Sequence, residues 1–217
     1  MKILNLYAGI GGNRKLWHKD HKITNVEINP QLCEQLRINF PNDTTIEHDA
    51  MDYLIQHYHK FDFIWASPPC QTHSRINRIN SSKYHRHEYI DPSLYQIIIF
   101  LQENFQGGYI VENVIPYYGQ AFSPTIYGRH SFWSNYDIQC LNWTPTKQNL
   151  FDLQLNDLQS KFQIFIEKNI YLNESHDPKQ IFRNAVDPQL GNLLLQRFNK
   201  KSQQLSLFQP GGEISGL

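Results

Sequence analysis

Lys2-Ile3-Leu4-Asn5-Leu6-Tyr7-Ala8-Gly9-Ile10-Gly11-Gly12 decides the fold. A short apolar run that meets a glycine-rich turn reads as a buried strand feeding a tight loop, and a helix is expected over 13–18. Gly9, Gly11 and Gly12 let the backbone approach a ligand closely, and the N–H groups opening that helix would face it. The unit then recurs. A second apolar run, 23–28, carries Glu27 and Ile28 and stops at Asn29-Pro30, where a helix over 31–39 begins with apolar spacing at Leu32, Leu36 and Phe40. A third strand, 44–48, ends at Asp49-Ala50 before a helix near 52–59. Residues 61–66 form a buried-looking strand stopped by Ser67-Pro68-Pro69-Cys70. A polar stretch, a helix over 92–104 and a strand over 109–112 complete the series. Strands alternating with helices predict an α/β, Rossmann-like domain: a mostly parallel sheet with helices on both faces. Ligands gather at the carboxyl ends of such strands, and Glu27, Asp49, Cys70 and Glu112 all fall there.

The 217 residues suit one such domain with a small appendage. A hydrophobic share of 40% indicates a folded chain, and zero formal net charge leaves any affinity for nucleic acid to a local patch. Cys33, Cys70 and Cys140 show neither disulfide-framework nor zinc spacing, and the histidines lack HExxH, so no metal is expected. The first residues are too glycine-rich for a signal peptide's apolar core, and no apolar run is long enough to span a membrane. A soluble, cytoplasmic protein is expected.

Two stretches carry chemistry. A cysteine held by two prolines after a buried strand is rigid and partly exposed, and it becomes a nucleophile where its thiolate is accessible. An idle core cysteine is the plainer alternative for Cys70. Glu112-Asn113-Val114 puts a carboxylate and an amide at a strand end, where they can meet an amidine-like edge or simply terminate the strand.

Glycine turn, Pro68-Pro69-Cys70-Gln71 with Ser74, and Glu112-Asn113-Val114, each after its own strand and in this order, resemble the DNA cytosine-5 methyltransferase family. Gly128-Arg129-His130 is similar to its arginine-bearing motif, and Arg183-Asn184-Ala185-Val186 to its closing segment, although Arg183 stands where glycine is usual. The resemblance implies a class I S-adenosylmethionine-dependent methyltransferase. Cys70 would add to C6 of a cytosine flipped out of DNA, with Glu112 on N3, Arg129 on O2, and Asn113 fixing the loop that carries Glu112. The cofactor S-adenosylmethionine would lie on Tyr7, Ala8, Gly9, Gly11 and Gly12. Glu27 and Ile28, Asp49 and Ala50, Pro68, Asn184 and Val186 would complete its site.

Beside Cys70, the stretch 71–87 carries Arg75, Arg78, Lys83 and Arg86 and no acid, so it is expected to bind DNA together with Gln71 and Ser74. Residues 1–134 and 181–199 would form the catalytic and cofactor-binding domain. The segment 135–180 would be a short target-recognition insertion, and 200–217 a flexible tail. Within the tail, Gln204-Leu205-Ser206-Leu207-Phe208 looks like the peptide by which bacterial proteins dock on the DNA sliding clamp. Gln204, Leu205, Leu207 and Phe208 would make the contact. A monomer in a bacterial or phage-infected cell, in a restriction-modification setting, is the expectation. An RNA cytosine-5 methyltransferase and a non-catalytic, clamp-associated DNA-binding protein are the alternatives.

Overall fold

The computed structural model describes residues 1–75, 78–79, 89–145, 149–166 and 178–207, with 200–207 by backbone alone. Its strands are β1 (Lys2–Leu6), β2 (Lys22–Glu27), β3 (Thr44–Glu47), β4 (Phe63–Ala66), β5 (Gly108–Val114), β6 (Thr125–Tyr127) and β7 (His130–Ser134). They form one sheet in the order β3-β2-β1-β4-β5-β7-β6. Neighbours from β3 across to β5 pair in parallel, while β7 is antiparallel to both β5 and β6. The fold is therefore the mostly parallel, Rossmann-like α/β architecture that the alternation predicts.

Both faces of the sheet are covered, which explains the near-continuous apolar runs. Leu4, Leu6, Ile64, Ala66 and Val111 pack on one face against α2 (Ala50–His57) and α3 (Ser93–Asn104). Ile3, Phe63, Trp65, Ile110 and Phe132 pack on the other against Leu190, Leu194 and Leu195 of α6 (Pro188–Leu207). A third cluster joins α1 (Pro30–Asn39), α4 (Leu155–Phe162) and α5 (Lys179–Asn184) to Ala8 and Ile10 of the glycine turn. From β1 the chain steps one way to β2 and β3, whereas β4 and β5 lie on the other side. Loops leaving β1 and β4 therefore diverge and open a crevice at the strands' carboxyl ends. These loops are the glycine turn and the Pro68-Pro69-Cys70 segment.

Two local expectations are corrected, and two elements are new. No helix occupies 13–18; consecutive turns do, with N–H groups of Arg14, Lys15 and Trp17 donating to the carbonyls of Gly11, Gly12 and Arg14. Local helix propensity is weak at Gly and Asn. Here tertiary bonds prevail, since Asn13 turns inward and the Trp17 indole donates to the Gly191 carbonyl at 3.2 Å. The hairpin β6–β7 has no counterpart in the sequence reading. Helix α4 ends at Phe162, because Gln163 adopts a left-handed cap at φ 54°. Finally, α6 runs to Leu207, so the backbone of 200–207 is helical where a loose tail was expected. No glycine or proline interrupts the chain there before Pro210. Among the described residues, no helix is long and apolar enough to cross a membrane.

Candidate active site

The loop after β4 is pinned from the neighbouring strand. Pro68 and Pro69 offer no N–H, so a partner must take hold of their carbonyls. Asn113, 1% exposed in β5, does so: its Nδ2 donates to the Pro68 carbonyl at 3.0 Å, while its Oδ1 accepts from the Val114 N–H at 2.9 Å. Asn113 thus ties the Cys70-bearing loop to β5, and Glu112 stands on that strand rather than on a loop. Past Cys70 the backbone turns, with the N–H groups of His73 and Ser74 both donating to the Cys70 carbonyl at 3.1 Å.

A second tie lies further along this loop. Tyr117 donates its N–H to the His73 carbonyl at 3.3 Å, and Arg78 lies over the Tyr117 ring at 5.3 Å. The fully buried His73 ring pairs through Nδ1 with the Tyr118 hydroxyl at 2.5 Å. Burial lowers the His73 pKa, against a weaker upward pull from Asp91, so the ring is neutral near pH 7. The cysteine-bearing loop and the segment after β5 are therefore joined at three points.

Cys70, Glu112 and Arg129 converge. Burial pushes the Cys70 thiol up to about 11, and the Glu112 carboxylate adds to the rise. A hydrogen bond from its own backbone and the Arg129 guanidinium oppose it. In the resting site the sulfur is a thiol. Burial also lowers the Arg129 pKa, with Glu112 and Cys70 opposing. Arg129 stands in the two-residue loop between β6 and β7 and donates from Nη2 to the Arg183 carbonyl, which ties the arginine motif to the closing segment. Between Glu112 and Arg129 stands a residue that the sequence reading left without a role. His130 Nδ1 is 2.5 Å from Glu112 Oε1, with side chains 8% and 7% exposed. The β5–β7 register makes them neighbours on one face, because Glu112 opposes Phe132 and Val114 opposes His130.

Across the crevice, Glu27 organises the glycine turn. Its Oε2 accepts from the Gly9 N–H at 2.9 Å, and its Oε1 from Ile28 and Asn29 at 3.0 and 2.9 Å. A carboxylate has about four lone-pair sites, so one remains for a further donor. Gly9 sits at φ 54°, a left-handed conformation that suits glycine, and a Cβ there would point into open space. At Gly12 the constraint is contact: a Cβ would stand 2.7 Å from the Val186 carbonyl oxygen and 2.9 Å from the Ala185 Cβ. Residues 185–186 thereby lie directly against the turn. Tyr7 is also left-handed at φ 54°, and burial with nearby Asp49 and Asp91 raises its hydroxyl pKa well above the usual value. Asp49 caps α2 by accepting from the Asp52 N–H at 2.9 Å, and Ile28 is 65% exposed beside Glu27.

Beneath the turn runs a ladder of polar side chains. Asn13 donates to Asn5 at 2.8 Å, Asn5 to Asn25 at 2.9 Å, and Asn25 to Asp43 at 3.1 Å. Arg14 closes it with two bonds to Asp43, at 2.5 and 2.7 Å. Buried polar groups require such partners, and this ladder holds the turn where no helix follows it.

Ala8, Ala50, Pro68 and Val186 are buried, Gln71 and Ser74 half-buried, and Arg75, Arg78 and Asn184 exposed. Lys83, Arg86 and Phe208 lie outside the described residues, and Gln204, Leu205 and Leu207 are described by backbone only. Among the described residues, no group of three His, Cys, Asp or Glu side chains could hold a metal ion.

The sequence profile described as C-5 cytosine-specific DNA methylase matches residues 1–116. Over 84 residues the chain is 31% identical to the Type II methyltransferase M1.HphI of Haemophilus parahaemolyticus, covering 35% of this chain and 23% of that protein. Among solved structures, a mutant DNMT2 of Spodoptera frugiperda is 28% identical, with a TM-score of 0.40 over 52% of this chain and 35% of that one. A putative DNA modification methyltransferase encoded within an E. coli prophage is 21% identical, with a TM-score of 0.39 over 57% and 34% of the two chains. The chain therefore spans about a quarter of its curated relative's length.

Proposed function

The chain belongs to the C-5 cytosine-specific DNA methylase family, and from that premise we propose that it transfers a methyl group from S-adenosylmethionine to C5 of cytosine in DNA. The observation that carries this reading is that Glu112 and Arg129 both act electrostatically on Cys70, which follows the strand paired to the one that feeds the glycine turn. The donor pocket fits on its own terms: open space above Gly9, a spare lone pair on Glu27, and an exposed Ile28. In it Tyr7, Gly9, Gly11, Gly12, Glu27, Ile28, Asp49, Asn184 and Val186 hold S-adenosylmethionine. When bound, that molecule supplies an electrophilic methyl group.

Cys70 performs the covalent step. Its proton leaves, the sulfur bonds to C6, and the C5–C6 π electrons shift toward C5 while N3 gains a proton. Breaking the ring's conjugation makes C5 nucleophilic enough to take the methyl group, so one hard step becomes easier ones. Loss of the C5 proton then expels the Cys70 sulfur, N3 gives up the proton it gained, and the ring is restored. Glu112 holds the N3 edge throughout, Arg129 meets O2, and Asn113 holds the Cys70-bearing loop against β5. The base must leave the duplex for its ring to meet sulfur, and Arg75 and Arg78, exposed just after Cys70, neutralise phosphates alongside. The segment 135–180 serves as the target-recognition insertion. The protein acts as a monomer in the cytoplasm of a bacterial or phage-infected cell.

A duplex oligonucleotide carrying 5-fluorocytosine tests this directly. With S-adenosylmethionine it should form a denaturant-resistant adduct with the wild-type chain and none with Cys70→Ser. No adduct with wild type, or one with the variant, refutes the mechanism; an adduct on RNA alone would move the substrate to RNA. We also propose that Gln204, Leu205, Leu207 and Phe208 dock on the sliding clamp, tethering the enzyme to DNA by effective concentration. Deleting Leu207 and Phe208 should abolish clamp pull-down and leave activity on short oligonucleotides intact; unchanged pull-down ends that idea.

A further inference from the structure

We infer that His130 is a positioning residue that holds Glu112 and Arg129 apart and reserves one carboxylate oxygen of Glu112 for the cytosine edge. The inference rests on the methyltransferase reading and adds a residue to it. Direction follows from Arg129, whose guanidinium can only donate. Its Nε lies 3.2 Å from His130 Nε2, so Nε2 accepts. The neutral ring then carries its proton on Nδ1 and donates it to Glu112 Oε1 at 2.5 Å. An imidazolium would set two N–H groups face to face across the Arg129 contact. Arg129 therefore selects the tautomer, and the tautomer orients the carboxylate.

In a desolvated site a carboxylate and a guanidinium tend to close into a direct bidentate pair. Such a pair would occupy both Glu112 oxygens and turn Arg129 away from a base. His130 occupies the space between them, taking Oε1 from one side and Nε from the other. Among the described residues no hydrogen bond reaches Glu112 Oε2, which stays free for N3 and the exocyclic amine. Arg129 keeps further N–H groups for O2. Both ends of the contact are set by strands: His130 opens β7, its ring stacks 6.2 Å from Phe132, and Glu112 sits on β5. Positions built on strands are held more tightly than positions on loops.

The test uses two isosteres that keep different atoms of the ring. In His130→Asn the side-chain amide nitrogen takes the place of Nδ1 and still donates to Glu112. In His130→Gln the amide reaches the place of Nε2 and can accept from Arg129, but nothing donates to Oε1. Methyl transfer to a cytosine duplex is measured with the equilibrium Kd for S-adenosylmethionine, which reports folding of the donor site. His130→Gln should lose about 30-fold in kcat, within the range seen when a group that orients a catalytic residue is removed. Its donor Kd should stay within about twofold, and His130→Asn should recover kcat to within about threefold of wild type. Equal kcat in the two variants, whether both high or both low, overturns the inference. So does a donor Kd that weakens in step with kcat, which would mark a structural role. A wild-type chain that neither methylates nor traps 5-fluorocytosine overturns the methyltransferase reading and this inference with it; an active wild type beside indistinguishable variants overturns this inference alone.

Discussion

Alkylation of Cys70 as a function of pH would measure how the site treats its sulfur before substrate arrives. With the thiol pushed up to about 11, roughly one molecule in ten thousand carries the thiolate at pH 7, against about one in thirty for an ordinary cysteine. That is a deficit of about 300-fold. A more basic thiolate is intrinsically more reactive, which returns about tenfold. Iodoacetamide should therefore label Cys70 about 30-fold more slowly than an unperturbed thiol, with a rate that climbs about tenfold per pH unit from 7 to 10. Cys140 is exposed and would dominate the signal, so the experiment belongs in a Cys140→Ser background with peptide mapping to separate buried Cys33. Glu112→Gln removes the negative charge that helps to raise the thiol, and labelling at pH 8 should then speed up several-fold. A rate that levels off below about pH 8.5 refutes the reasoning, as does slower labelling in Glu112→Gln. A protonated resting thiol means that the mechanism proposed above needs the Cys70 proton to leave after substrate arrives.

Three further outcomes follow from named contacts. Asn113→Ala removes one buried and one partly buried bond and strands the Pro68 carbonyl, so urea denaturation should register a loss of about 2–3 kcal/mol. Gly12→Ala would drive a Cβ into the Val186 carbonyl; calorimetric titration should find the S-adenosylmethionine Kd weakened about tenfold or more if 185–186 must move. Arg75→Ala and Arg78→Ala should each reduce the slope of log K for DNA against log salt by about 1, and a slope unchanged in both removes these residues from the phosphate contacts.

The rim of the sheet was readable from residues because its signals are local. Glycines after β1, prolines after β4, the acid ending β2 and the acid two residues short of the end of β5 each punctuate an apolar run, and period and punctuation survive without tertiary knowledge. His130 was not readable, because its importance depends on strand register. His130-Ser131-Phe132-Trp133-Ser134 is covered on both faces, so it lacks the alternation that marks a half-buried strand. A usable signal did exist in Gly128-Arg129, a two-residue loop with Gly128 at φ 58°, the kind of turn that joins hairpin strands. The failed helix over 13–18 has the opposite cause: local spacing suggested it, while Asn13 and Trp17 had partners elsewhere. The reach of α6 to Leu207 reflects ordinary helix-compatible residues, where polarity and the Gly211-Gly212 pair suggest a tail.

The ladder from Asn13 through Asn5 and Asn25 to Asp43 and Arg14 has a consequence for anyone who would move this donor loop into another scaffold. The shape of residues 7–12 is underwritten by side chains on β2 and in the turn before β3, so a graft of the glycine segment alone would leave its foundations behind. Asn25 and Asp43 would have to travel with it, and a host offering apolar residues at those two places would take away the acceptors that the Asn5 amide nitrogen and the Arg14 guanidinium use here.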